Sequence, residues 1–130
     1  MRYSPTLVDH FLNPRNAGMM QLPDAMGEGE YAECGDLARV FLRVRDGRVV
    51  EARFQAYGCG PTIAAASLVS ELAVLRPVED LLHLKPEDVE RGLDGLPDDR
   101  KHAAEVVTEA VRAAARDWLS RRGGDVQASA

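Results

Sequence analysis

Apolar and charged positions alternate most regularly in the middle of the first half of the chain. From Ala38 to Arg45, Val40, Leu42 and Val44 fall on one side and Arg39, Arg43 and Arg45 on the other, with Phe41 the exception. This two-residue period is that of a strand with one buried face. After Asp46-Gly47, a hairpin dipeptide, Val50, Ala52, Phe54 and Ala56 alternate with Glu51, Arg53 and Gln55 and predict the antiparallel partner. Uninterrupted pairing from a strict two-residue turn sets Leu42 against Glu51, apolar against charged. One extra residue, supplied by a type I turn with a bulge, sets Leu42 against Ala52 or Val50 and restores agreement. A bulged turn is therefore the expected form.

The flanking segments carry helical periods. Ser4-Pro5 is an N-cap followed by proline at the first helical position, opening a short helix through Leu7, Val8 and Phe11 that stops before Asn13-Pro14. Residues 13–30 hold Asn, Gly and Pro without a period and predict a mobile surface connection, closing on a short strand near Glu30 to Ala32. Past Gly60-Pro61, Ile63, Ala66, Leu68, Val69 and Leu72 define a helix over Thr62 to Leu75, and Pro77 and Pro86 start two shorter pieces. A last amphipathic helix is predicted from about Asp98 to Arg122, with Ala103, Val107, Val111, Ala114 and Trp118 on one stripe, Gly123 as its stop and a disordered tail over 124–130. The fold class is α+β: residues 1–123 form one domain, a small antiparallel sheet of about three strands covered by helices.

At 130 residues the chain is long enough for one core without disulfide support. A net charge of −5, with Lys and Arg interleaved among Asp and Glu, argues against a nucleic-acid partner. No stretch is apolar enough to span a bilayer, and the N-terminus lacks the basic-then-apolar pattern of a signal peptide, so a cytoplasmic location is expected. Thiols in that compartment stay reduced, which favours ligation or thiol chemistry over a structural disulfide.

The two cysteines each sit in a glycine-broken turn, Glu33-Cys34-Gly35-Asp36 and Gly58-Cys59-Gly60, at the open end of the predicted hairpin. In the favoured registers Cys34 falls opposite Gly58 or Gly60, within roughly 10 Å of Cys59 along the strands. Strand parity points Cys59 away from Cys34, but Gly58 and Gly60 permit backbone angles that re-aim it, so its direction stays open. Cys59 also precedes a helix, where partial positive charge favours a thiolate. Asp36 lies two residues from Cys34, and His102 lies near the start of the predicted last helix. Each has a plainer explanation: the cysteines as small buried apolar groups, Asp36 as a turn brace, His102 as a solvated histidine, and Ala103 as packing on the apolar stripe. His10 and His83 are expected at the surface.

Tyr3-Ser4, Asp9-His10 and Asn13-Pro14-Arg15-Asn16, then Cys34-Gly35-Asp36, Ala52-Arg53-Phe54, Gly58-Cys59-Gly60 and Leu96-Pro97 with His102 follow one another in an order and spacing that resembles the IscU/NifU-type scaffold proteins of iron-sulfur cluster assembly, over roughly residues 3–120. The resemblance implies that Cys34, Asp36, Cys59 and His102 occupy the family's metal and cluster site. It further implies that the chain holds iron or a transient 2Fe-2S cluster, or zinc at the same residues. Sulfur would come from a cysteine desulfurase, apo-proteins would receive the cluster, and the chain would have no turnover of its own.

Two positions depart from the family pattern. Its third cysteine, immediately after the His, is Ala103 here, and Leu96-Pro97-Asp98-Asp99-Arg100 stands where members served by a dedicated chaperone carry Leu-Pro-Pro-Val-Lys. Hand-off through such a chaperone is therefore not expected. With one thiolate fewer, a cluster is held more weakly, whereas two thiolates, an imidazole and a carboxylate still complete a zinc tetrahedron. A cluster or iron scaffold is the favoured function. A zinc-binding relative with a regulatory or structural role toward the desulfurase comes second, and a sulfurtransferase using Cys59 as nucleophile and His102 as base comes last.

Overall fold

The computed structural model of the chain describes residues 3–121. Its elements are α1 (Pro5–Leu12), β1 (Ala25–Tyr31), β2 (Asp36–Arg45), β3 (Arg48–Tyr57), α2 (Gly60–Ala73), α3 (Val78–Leu81), α4 (Pro86–Gly92), a 3-10 turn (Asp98–Arg100) and α5, assigned His102–Ser129 and described as far as Arg121. The predicted stop at Gly123 and the predicted tail at 124–130 lie outside the described residues. The three strands form one antiparallel sheet in the order β1-β2-β3.

Leu42 pairs with Ala52, one of the two partners that matched faces allow, but the extra residue is not in the turn. Asp46 (φ 54°) and Gly47 (φ 75°) both take left-handed angles in a two-residue loop between Arg45 and Arg48, whose twist suits the flanking strands. The register instead shifts between Arg43 and Val44: Val44 faces Val49 while Arg43 faces Glu51, so Val50 is the bulged residue. The bulge leaves Val49 fully buried and Val50 exposed.

Where the sequence predicts a mobile connection, β1 pairs along its whole length with β2, from Ala25 opposite Leu42 to Tyr31 opposite Asp36. Gly27 and Gly29 hide this strand from a propensity reading. They occupy its inward positions, where α5 crosses at backbone contact: a Cβ on Gly27 would lie 2.1 Å from the Ala114 nitrogen, and one on Gly29 would lie 2.0 Å from the Val106 oxygen. The segment before β1 is pinned too. Phe54 exchanges backbone hydrogen bonds with Asn16 and Gly18, and the Arg43 guanidinium donates to the carbonyls of Gln21 and Leu22.

The core lies between the inner face of the sheet (Ala38, Val40, Leu42, Ala52, Phe54) and the apolar faces of α2 and α5, including Val69, Val107 and Val111. Phe41 is also buried, although its parity puts it on the opposite face between Met26 and Arg53. The predicted single helix from Asp98 is broken. A 3-10 turn ends at Arg100 and α5 begins at His102, which puts that residue at a helix start.

His10, expected at the surface, is 6% exposed. Its spacing of three from the buried Leu7 places both on one face of α1, the signal that marks it as interior. His10 Nδ1 is 2.8 Å from Ser67 Oγ, which also accepts from the Arg15 backbone N–H at 2.9 Å. That geometry suits a neutral ring accepting from the serine hydroxyl. Burial, followed by the nearby Arg15 charge, lowers the His10 pKa from 6.5.

Two outcomes follow from this packing. Gly29→Ala is expected to cost about 3 kcal/mol or more through overpacking against α5, whereas Gly47→Ala, with nothing near its Cβ, is expected to cost about 1–2 kcal/mol from the left-handed angle alone; urea unfolding of both variants checks the contrast. A histidine whose folded pKa is depressed binds fewer protons folded than unfolded, so its contribution is present above the unfolded value and is lost as pH falls below about 6.5. The urea midpoint of wild type is therefore expected to fall below that pH more steeply than that of His10→Gln.

Candidate metal centre

Asp36 is the first residue of β2 and continues the inward row of Ala38, Val40 and Leu42, so its carboxylate enters the interior and is 1% exposed. Space for it comes from the far side of the sheet. Beyond Tyr57 the chain passes Gly58 (φ 132°), where a Cβ would lie 2.1 Å from Asp36 Oδ1. The chain then turns into α2 with Cys59 in the N-cap position and Pro61 in the first turn. At that position Cys59 Sγ lies 3.5 Å from Asp36 Oδ2, and its N–H donates to Oδ1 at 3.4 Å. The turn that re-aims Cys59 therefore points it at Asp36.

Asp36 Oδ2 is the meeting point of three side chains. Thr62, one turn along α2, donates its hydroxyl to it at 2.8 Å, and the same hydroxyl lies 3.3 Å from Cys59 Sγ. His102, at the start of α5, brings Nε2 to 2.8 Å. The ligand atoms of Asp36, Cys59 and His102 all lie within 4.8 Å of one another. Sulfur, imidazole nitrogen and carboxylate oxygen are the donors zinc and iron accept, and adjacent ligand atoms in a tetrahedral zinc site are about 3–4 Å apart. A cation would need the hydrogen-bonded His102–Asp36 pair to part slightly and the most widely spaced ligand atoms to draw in, and the site needs a fourth donor.

Cys34, predicted as a ligand, is exposed and lies outside this group. It sits in the tight turn joining β1 to β2, where its N–H donates to the Tyr31 carbonyl at 3.2 Å and the Gly35 N–H to that of Ala32 at 3.3 Å. Both cysteines are free thiols. Ala103, the residue after His102, is completely buried and contributes a packed methyl group with no ligand atom.

Three neighbours escape a reading of the sequence alone. Thr62 carries a retrievable signal, since it follows Cys59 by three on the same helix face. Tyr31, in the short strand predicted near Glu30 to Ala32, stacks on the His102 ring with centroids 4.8 Å apart and 23° between the planes, a contact between distant elements. The Arg100 guanidinium, in the 3-10 turn, is held above its usual pKa chiefly by Asp99, with Tyr3 and Cys59 acting in the same direction, so a permanent cation stands near the thiol.

Comparison with known proteins agrees with this architecture. The family model described as the NifU-like N terminal domain matches residues 2–125. The iron-sulfur cluster assembly scaffold protein IscU of Escherichia coli strain K12 is 35% identical over 126 residues, covering 94% of this chain and 98% of that protein. IscU 1 of Archaeoglobus fulgidus is 34% identical over 121 residues, covering 93% of this chain and 79% of its own length. Among solved structures, a NifU-like N-terminal protein from Brucella abortus superposes with a TM-score of 0.74 at 20% identity, covering 92% of this chain and 95% of its own. Residue order, fold and the convergence of Asp36, Cys59 and His102 thus lead to one assignment: the chain belongs to the NifU-like N-terminal domain family, whose relatives include the IscU scaffolds.

Proposed function

We propose that the chain is a scaffold for iron-sulfur cluster assembly, receiving iron and sulfur as cargo at Cys34, Asp36, Cys59 and His102. The observation that carries this reading is the preformed trio of Asp36, Cys59 and His102, with the free Cys34 thiol on the adjoining turn. Asp36 and Thr62 hold the Cys59 sulfur inside the site, while His102 enters from the opposite element. Cys34, on an exposed turn, is the donor that closes on cargo and opens to release it. A cysteine desulfurase supplies the sulfur, and apo-proteins with vacant thiolate sites take the product.

A carboxylate and an imidazole in place of thiolates make the hold weaker, which suits transfer. Since Asp98, Asp99 and Arg100 form a charged 3-10 turn ahead of His102, delivery is proposed to proceed without a dedicated chaperone. Among the described residues no helix is long and apolar enough to cross a membrane.

Zinc retention is the second reading, favoured by the buried Ala103 and by donors that fit a tetrahedron. Bound zinc would supply charge compensation for Asp36 and the thiolates. A nucleophilic enzyme is the least supported reading: His102 Nε2 faces Asp36, while the hydrogen bonds of the Cys59 sulfur run to Asp36 and Thr62. These contacts hold the thiol rather than pass its proton to a base.

The test is anaerobic reconstitution with iron and sulfide followed by desalting. Wild type is expected to retain both, and Cys59→Ser to lose most of them. Ala103→Cys is expected to hold the cluster severalfold longer in air, with Ala103→Ser as the packing control. If only Ala103→Cys retains iron and sulfide while wild type as isolated carries zinc, the scaffold reading fails and the zinc reading replaces it.

A further inference from the structure

Tyr31 reaches this site from a strand that carries none of the proposed ligands. It closes β1 as the cross-strand partner of Asp36, so the two side chains rise side by side from the same face of the sheet. They meet one imidazole in different ways. Asp36 takes the Nε2 edge at 2.8 Å, and Tyr31 takes the ring face at a centroid separation of 4.8 Å. The phenol is itself steered, since its hydroxyl donates to Glu33 Oε2 at 3.1 Å.

His102 needs such a restraint. It is the first residue of α5, preceded by a 3-10 turn, so no earlier α-helical turn packs against its side chain. Its orientation rests on what meets the ring. Once Asp36 and Nε2 are both given to a cation, the hydrogen bond between them is lost, and of the two restraints only the stack remains.

We propose that Tyr31 is a positioning residue of the metal centre: its ring, stacked on His102, keeps Nε2 aimed at the point where Asp36 and Cys59 converge. This inference rests on the metal-centre reading of the site. The aromatic face is the working part, and the hydroxyl only steadies it through Glu33. Phenylalanine should therefore substitute and leucine should not. Outer groups that orient a ligand typically change metal affinity by 10–100-fold, and the lower end of that range is expected for a stack that leaves every ligand in place.

The experiment is an anaerobic titration of the metal-free full chain with cobalt(II), followed by its visible absorption. Tyr31→Phe is expected to bind within about twofold of wild type and Tyr31→Leu about tenfold more weakly. In a His102→Ala background, Tyr31→Leu is expected to change affinity no further, because its effect runs through the imidazole. Wild-type affinity in Tyr31→Leu, or an equal loss in the His102→Ala background, overturns the proposal. The second result would mark a purely structural role.

Proton NMR of the metal-free chain separates this proposal from the reading beneath it. The His102 ring protons are expected upfield in wild type and Tyr31→Phe, and released in Tyr31→Leu. A wild type that takes no cobalt yet keeps the upfield shift overturns the metal centre and leaves the ring-holding role of Tyr31 standing. A wild type without the shift overturns the positioning itself.

Discussion

A carboxylate placed out of water must be compensated, and Asp36, at 1% exposure, is the constraint around which this molecule is arranged. Its compensation arrives from three directions: the Cys59 backbone N–H at the end of the hairpin, the Thr62 hydroxyl in the first turn of α2, and His102 Nε2 at the start of α5. Each donor depends on a different part of the fold. The β2–β3 register brings Gly58 past the carboxylate, the Pro61 turn starts α2 at Cys59, and the bare backbones of Gly27 and Gly29 let α5 lie close enough for His102 to reach. Hydrogen bonds offset the burial only in part, and a cation with its own positive charge would do so more completely.

The same arrangement explains the asymmetry between the cysteines. Cys59 is fixed among polar partners, whereas Cys34 is on an exposed turn. A carrier must bind and also let go. A preformed group of Asp36, Cys59 and His102 beside a thiol on an exposed turn is the arrangement from which the proposed scaffold role is argued. The residue after His102, Ala103, is a fully buried methyl that offers no ligand atom.

Much of this was legible in the residues. Alternation located β2 and β3 and set Leu42 opposite Ala52 or Val50, and of the four candidate donors singled out, the structure groups Asp36, Cys59 and His102 but not Cys34. Placement of the extra residue was not legible, because a bulge at Val50 and a bulge in the turn satisfy the same matching of faces. β1 was largely missed, since Gly27 and Gly29 lack the side chains that carry a strand period; their reason is the α5 backbone, a tertiary contact. Tyr31 falls within the short strand predicted near Glu30 to Ala32, but its stacking on His102 is a tertiary contact that strand does not reveal. His10 was misplaced because a histidine on a helix is usually solvated, although its spacing from Leu7 argued otherwise. The direction of Cys59 depended on backbone angles at Gly58, which sequence leaves free.

X-ray absorption fine structure of the zinc-loaded chain tests the central claim most directly, because it counts the atoms around the ion without requiring a cluster to form. The account predicts a four-coordinate shell with sulfur from both cysteines beside lighter donors from Asp36 and His102, and loss of part of the sulfur signal in Cys34→Ser. A six-coordinate shell of oxygen and nitrogen alone, unchanged by substitution of Asp36 or Cys59, would contradict it.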